Sequence, residues 1–219
     1  MSHEEFLTFL RQQRYLHAKR LAAQLPELWK PSLETLPETV EIYQGEALLY
    51  ARLLTELVRA KRQTQSELTA LFETHPDAAT FSSLPGLGAF LAPALLVKFG
   101  DHRSRFPTAA TLQALAGTCP VTDSSGKRHR IRFRRACDRE FRHFAQQWAI
   151  ASVRRTRSSF ALAYWHQLRN RDMGKNHAFR CLANRWLAIA WRLWQDHTTY
   201  DETYHLQQRA QRQRPAHLA

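Results

Sequence analysis

Residues 40–73, "VEIYQGEALLYARLLTELVRAKRQTQSELTALFE", contain no proline and a single glycine, Gly45. Leu49, Leu53, Leu57, Leu68 and Leu71 fall on or near one face at helical spacing, so the stretch predicts one long amphipathic helix. The spacing is not a strict heptad. A helical hairpin and a dimerising coiled coil both fit, with hairpin packing the closer match. This segment sets the expected fold class: mainly α, a helical hairpin or coiled-coil linker followed by a helical domain. Upstream, Phe6, Leu7, Leu10, Leu16 and Leu21 carry helical spacing over 4–24. The stretch "LPELWKPSLETLPE" (25–38) holds three prolines and reads as a connector. His75-Pro76 marks the end of the long helix. Helical runs follow at 89–99, 108–116, 137–168 and 176–197, while "HRIRFRR" alternates enough for a short ribbon at most. The polar tail after Tyr204 is expected to fray. No internal repeat is visible, and the expected units are 1–77, 78–204 and 205–219.

Charge narrows the partners. The 219 residues carry a net charge of +13 with 44% apolar and 11% aromatic content. That composition excludes a disordered polycation and favours a folded binder of a polyanion, most commonly nucleic acid. Cys119, Cys137 and Cys181 form no CxxC pair and suggest neither a disulfide framework nor a zinc site. The eleven histidines show no HExxH or zinc-finger spacing, so no metal site is expected. No signal peptide or membrane-length apolar run is present. A membrane-surface role ranks low, because no helix outside the expected core pairs a basic face with a broad apolar one. The expected location is the reducing cytoplasm, at the nucleoid.

Three stretches carry chemistry. In "FSSLPGLGAFLAPALLVKFGD" (81–101), Pro-Gly-apolar-Gly followed by a helix is the helix-hairpin-helix pattern. Gly86 and Gly88 permit the tight turn, and the N–H groups opening the next helix suit a phosphate oxygen. A plain tight turn between core helices is the structural alternative. The run "KRHRIRFRR" (127–135) supplies Lys127, Arg128, Arg130, Arg132, Arg134 and Arg135, a density best matched to phosphates. Its alternative is a solvated charge run, against which its position inside a domain argues. The third stretch, "DSSG" (123–126), places Ser124 and Ser125 next to those arginines. Arginines can stabilise charge on an attacked phosphate, yet a serine needs activation, and the residues alone favour a turn-forming Asp-Ser-Ser-Gly. Asp138, Glu140, Asp196, Asp201 and Glu202 read as charge balancing rather than as a metal cage.

From residue 81 to about 204 the order of features resembles the C-terminal domain of the IS-one-ten/IS-one-sixteen transposases, the DEDD insertion-sequence family. The matching pieces are "LPGLGAFLAPALLVKFGD", "FPTAATLQALAGTCPVTDSSGKR" and "RNRDMGKNHAFRCLANRWLAIAWRLWQDHTTYDE". The helices before residue 78 resemble the family's linker. The resemblance implies a serine that attacks DNA and becomes joined to it; the "SSG" pattern selects Ser125, with Ser124 as the fallback. It further implies DNA and a structured guide RNA as partners, and a homo-oligomer or a partner bearing the acidic domain. Magnesium is expected in that separate N-terminal domain and no cofactor in this chain. One departure is local: where the family reads close to "SKRGN", this chain has "RRACD" (134–138), with Cys137 replacing glycine. The other is that the chain opens within what resembles the linker, so independent catalysis is not expected. The alternative expectation is a non-catalytic nucleic-acid-binding remnant or regulator.

Overall fold

A computed structural model of the chain describes residues 3–12, 15, 17–28, 37–125 and 128–213. These residues form ten α-helices, one 3-10 turn and a two-stranded ribbon, a mainly α fold as expected. The chain divides into two compact units, Met1–Arg59 and Ala60–Ala219.

In the first unit, α1 (His3–Gln12) and α2 (Ala18–Leu28) pack on each other. The helical spacing expected over 4–24 is therefore interrupted. Backbone bonds from Tyr15 N–H to Leu10 O and from Leu21 N–H to His17 O close α1 and open α2. Leu10, Ala18 and Ala22 are buried. The long helix α3 runs Pro37–Glu73 without a break. Its Leu49, Leu53, Leu57 and Leu71 do not enter a hairpin core; each is more than half exposed.

The second unit is built around α9 (Lys175–Gln195). Phe179, Leu182, Ala183, Trp186, Leu187, Ala190 and Trp194 form its buried face at spacings of three and four residues. Against it pack α6 (Ala109–Leu115) and α7 (Arg139–Arg154), the latter through Phe141, Ala145, Trp148 and Ala149. Trp148 stacks on Trp186 with centroids 5.3 Å apart. Each fully buried aromatic contributes about 2–3 kcal/mol of transfer free energy. Two of the indole donors are paired, Trp148 Nε1 to Pro85 O and Trp186 Nε1 to the buried Ser152 Oγ, while the buried Nε1 of Trp165 and of Trp194 have no partner among the described residues.

Two helix boundaries differ from the expected ones. The run 137–168 divides into α7 and α8 (Ser159–Arg169). Arg157 takes a left-handed φ of 51°, and the Ser158 side chain caps α8 by accepting from Ala161 N–H. Within the tail expected to fray after Tyr204, the chain is helical to Gln213, in α10 (Glu202–Gln213), and residues 214–219 lie outside the described residues. Glu202 Oε1 accepts from Ser158 Oγ and from Phe160 N–H, and Arg209 lies over the Phe160 and Tyr164 rings. The helix thus docks on α8 through side chains that a composition-based reading counts only as polar.

Candidate nucleic-acid interface

The serine pair lies on a strand, not on the turn expected for it. β1 (Val121–Ser125) pairs antiparallel with β2 (Arg128–Arg132). The register sets Val121 opposite Arg132, Thr122 opposite Ile131, Asp123 opposite Arg130, Ser124 opposite His129 and Ser125 opposite Arg128. Gly126 and Lys127, between the strands, lie outside the described residues. Because alternate strand positions face opposite sides and paired positions share a side, the two serines part company. Ser125 shares its face with Arg130 and Arg132, whereas Ser124 shares the other with Thr122 and Ile131. Ser125, Arg130 and Arg132 are all exposed. Arg135 is exposed beyond the ribbon, but Arg134 is half-buried with its Nε enclosed. The basic run is therefore not one uniform surface.

The base of the ribbon is held by residues that the sequence reading did not select. Phe133 lies between two guanidinium groups, Arg142 of α7 at 4.8 Å and Arg180 of α9 at 4.5 Å from the ring centroid. Arg142 also donates to the Arg134 carbonyl. Nothing in the spacing of Arg142 and Arg180 marks them out from the other arginines. The segment "RRACD" then enters α7 on a side-chain cap: Asp138 accepts from Phe141 N–H at 2.9 Å, while its own N–H donates to Leu115 O. Cys137 fills the space beside Gly117, which has φ of 63°; a Cβ there would sit 2.6 Å from the thiol sulfur. Cys137 is thus accommodated by a glycine on the facing loop.

The Pro-Gly-Leu-Gly turn joins α4 (Ala78–Ser83) to α5 (Leu91–Phe99). Gly86 has φ of 91°, and a Cβ on it would lie 2.6 Å from Ser152 N. Its freedom is spent on close approach to the end of α7. Gly88 is different: it is exposed, with open space where a Cβ would stand. Of the two glycines assigned to phosphate contact, Gly88 alone faces solvent.

Carboxylates are engaged in pairing. Lys98 Nζ bridges Asp138 at 2.9 Å and Glu140 at 2.6 Å. The hydrogen bonds that Lys98 donates to Glu140 and Asp138 raise its pKa, and the Phe141 N–H, with Lys98, lowers that of Asp138. Buried Asp77 pairs with Arg103, Asp196 with Arg192, and Glu202 with the start of α8. Among the described residues no group of three or more His, Cys, Asp or Glu could hold a metal ion. Asp138, Glu140, Asp77, Asp196 and Glu202 are thus each tied to a cation or a helix N-terminus. No helix among the described residues is long and apolar enough to cross a membrane.

Residues 78–165, which contain the turn, the ribbon and α7, match the profile described as "Transposase IS116/IS110/IS902 family". Over that span the chain belongs to this transposase family. The chain is also similar to the mini-circle putative transposase for IS117 of Streptomyces coelicolor. The two are 30% identical over 169 residues, which cover 76% of this chain and 40% of that protein. The 43.6 kDa protein of insertion element IS110 from the same organism is 32% identical over 152 residues, 69% of this chain and 37% of its own length. The 42 kDa protein of IS900 from Mycobacterium paratuberculosis is 28% identical over 198 residues, 88% of this chain and 48% of its own. The chain thus spans less than half the length of these relatives.

Proposed function

We propose that the chain is the DNA-binding, serine-bearing part of an insertion-sequence transposase, with Ser125 as nucleophile. The observation that carries this reading is the ribbon register: it puts Ser125, not Ser124, on the face of Arg130 and Arg132. A phosphodiester drawn to that face meets a hydroxyl and two guanidinium groups, which can stabilise charge on the attacked phosphate. Attack by Ser125 Oγ forms one phosphate ester and releases one sugar oxygen, which takes the serine proton. The exchange conserves the ester bond, so the joined state can be reversed by a sugar hydroxyl. Magnesium chemistry, in this reading, belongs to an acidic domain of the family type and not to the residues described here. The structured guide RNA, the helix-hairpin-helix contact at Gly88 and an oligomer paired through α3 are further parts of the same proposal.

DNA affinity as a function of salt tests the reading. Each neutralised phosphate contributes about 0.9 to the slope of log affinity against log salt. Arg130→Gln and Arg132→Gln are each expected to lower that slope by roughly this amount. Ser125→Ala is expected to leave the slope unchanged while abolishing a covalent DNA adduct in a reaction supplied with the acidic domain. Salt-independent binding, or arginine variants with an unaltered slope, would contradict the proposal.

A further inference from the structure

At the foot of the ribbon is a cleft of about 220 Å³ lined by Thr118, Ile131, Phe133, Tyr164, His177 and Asn184, among others. We propose that it holds an unpaired nucleobase of the DNA strand engaged by the ribbon. This rests on the DNA-binding reading and adds a second contact to it. A cavity of about 150 Å³ already holds a benzene molecule, so the volume admits a planar heterocycle. The lining supplies what a base needs. Phe133, which is 44% exposed, Tyr164 and Ile131 supply aromatic and apolar wall. Contact with such a wall tolerates any base. The guanidinium groups of Arg142 and Arg180 fix the Phe133 ring and bring positive charge beside it.

The polar wall is ordered for donation. Thr118 Oγ1 donates to the side-chain Oδ1 of Asn184 at 2.8 Å, and Gln113 Nε2 donates to the backbone carbonyl of the same residue at 2.7 Å. The Thr118 bond orients the Asn184 side-chain amide and leaves its Nδ2 as a donor with no protein acceptor among the described residues. A base edge carries the ring nitrogens or carbonyls that such a donor meets. The cleft also lies close to the nucleophile. Ile131 stands opposite Thr122, three residues before Ser125, a separation of about 10 Å along the strand. Ile131 and Ser125 occupy opposite faces of a ribbon only two strands wide. A DNA strand crossing its edge would therefore present a phosphate to one face and a neighbouring base to the other.

The test uses the full chain and oligonucleotides carrying 2-aminopurine at an unpaired position, with a remote dye reporting binding by anisotropy. Quenching of the 2-aminopurine on saturation, absent when the same base is fully paired, is the expected result. Phe133→Leu is expected to abolish most of the quenching. It should weaken affinity for the unpaired strand about fivefold or more. Cys181→Phe, which fills the cleft from α9 and leaves the Phe133 anchor of the ribbon in place, should also abolish the quenching and weaken affinity for the unpaired strand, while duplex affinity stays unchanged. Binding without quenching, or quenching that survives in both variants, overturns the base site and leaves the DNA-binding reading standing. No binding to any oligonucleotide overturns that reading and this inference with it.

Discussion

The two longest helices make opposite use of the same kind of pattern. Both α3 and α9 carry large apolar residues at spacings of three and four. On α9 these residues are Trp186, Leu187 and Trp194, all fully buried. On α3 they include Leu53, Leu54 and Leu57, which are 53%, 61% and 66% exposed. Periodicity specifies which face is apolar but not what covers it. For α9 the cover comes from α6, α7 and α8. In the reading proposed above, the cover for the exposed stripe on α3 would be a second copy of the chain.

Substitutions can break this contrast. The largest effect is expected from Trp186→Ala, which removes the ring stacked on Trp148 and the donor to Ser152; a loss of about 3–5 kcal/mol should appear in denaturant unfolding. Gly86→Ala follows, since its Cβ would meet the Ser152 backbone at a positive φ. About 1–3 kcal/mol is expected there, against little change for Gly88→Ala in the same turn. A Gly86→Ala protein as stable as the parent would refute the packing role of that turn.

Asp138→Asn is a smaller perturbation. Asparagine still accepts from Phe141 N–H, so what is lost is the carboxylate charge facing Lys98 and the N-terminus of α7, about 1 kcal/mol or less, roughly 2–4 °C in melting temperature at most for a chain of this size. Its pH dependence has a definite sign. The native carboxyl titrates below its ordinary value of 3.8, so its contribution is present above that pH and lost as pH falls through the depressed native value. The stability gap between the parent and Asp138→Asn should therefore stay constant through neutral pH and close only below about 3.8. For Lys98, raised above 10.5, the contribution is complete below 10.5 and lost as pH rises past the elevated value. The smallest effect on stability is expected from Leu53→Gln with Leu57→Gln, within about 0.5 kcal/mol each. That pair should nonetheless reduce self-association in sedimentation. A double variant that unfolds would place the α3 stripe in a core.

Much of this architecture is legible in the sequence where a local rule decides it. The helical class, the unbroken α3 and a short ribbon at "HRIRFRR" all follow from spacing and from the placement of proline and glycine. Other features turn on partners distant in sequence. α10 is held by Glu202 and Arg209 on α8, which no local pattern announces. Gly86 reads locally as a phosphate turn, whereas its Cα–H faces the α7 backbone 66 residues later. The serine pair shows the same limit. Composition marks "DSSG" as a turn, yet its two serines fall on opposite faces because the register with β2 extends the strand through Ser125. The grip of Arg142 and Arg180 on Phe133 is equally invisible from spacing alone.

The most direct measurement is to trap the protein–DNA joint. The chain, supplied with the acidic domain that the proposed reading calls for and a nicked substrate that cannot religate, would be digested and the DNA-linked peptide sequenced by mass spectrometry. The account predicts a phosphodiester on Ser125, present in Ser124→Ala and absent in Ser125→Ala. Linkage to Ser124, or to any residue off the face of Arg130 and Arg132, would contradict it.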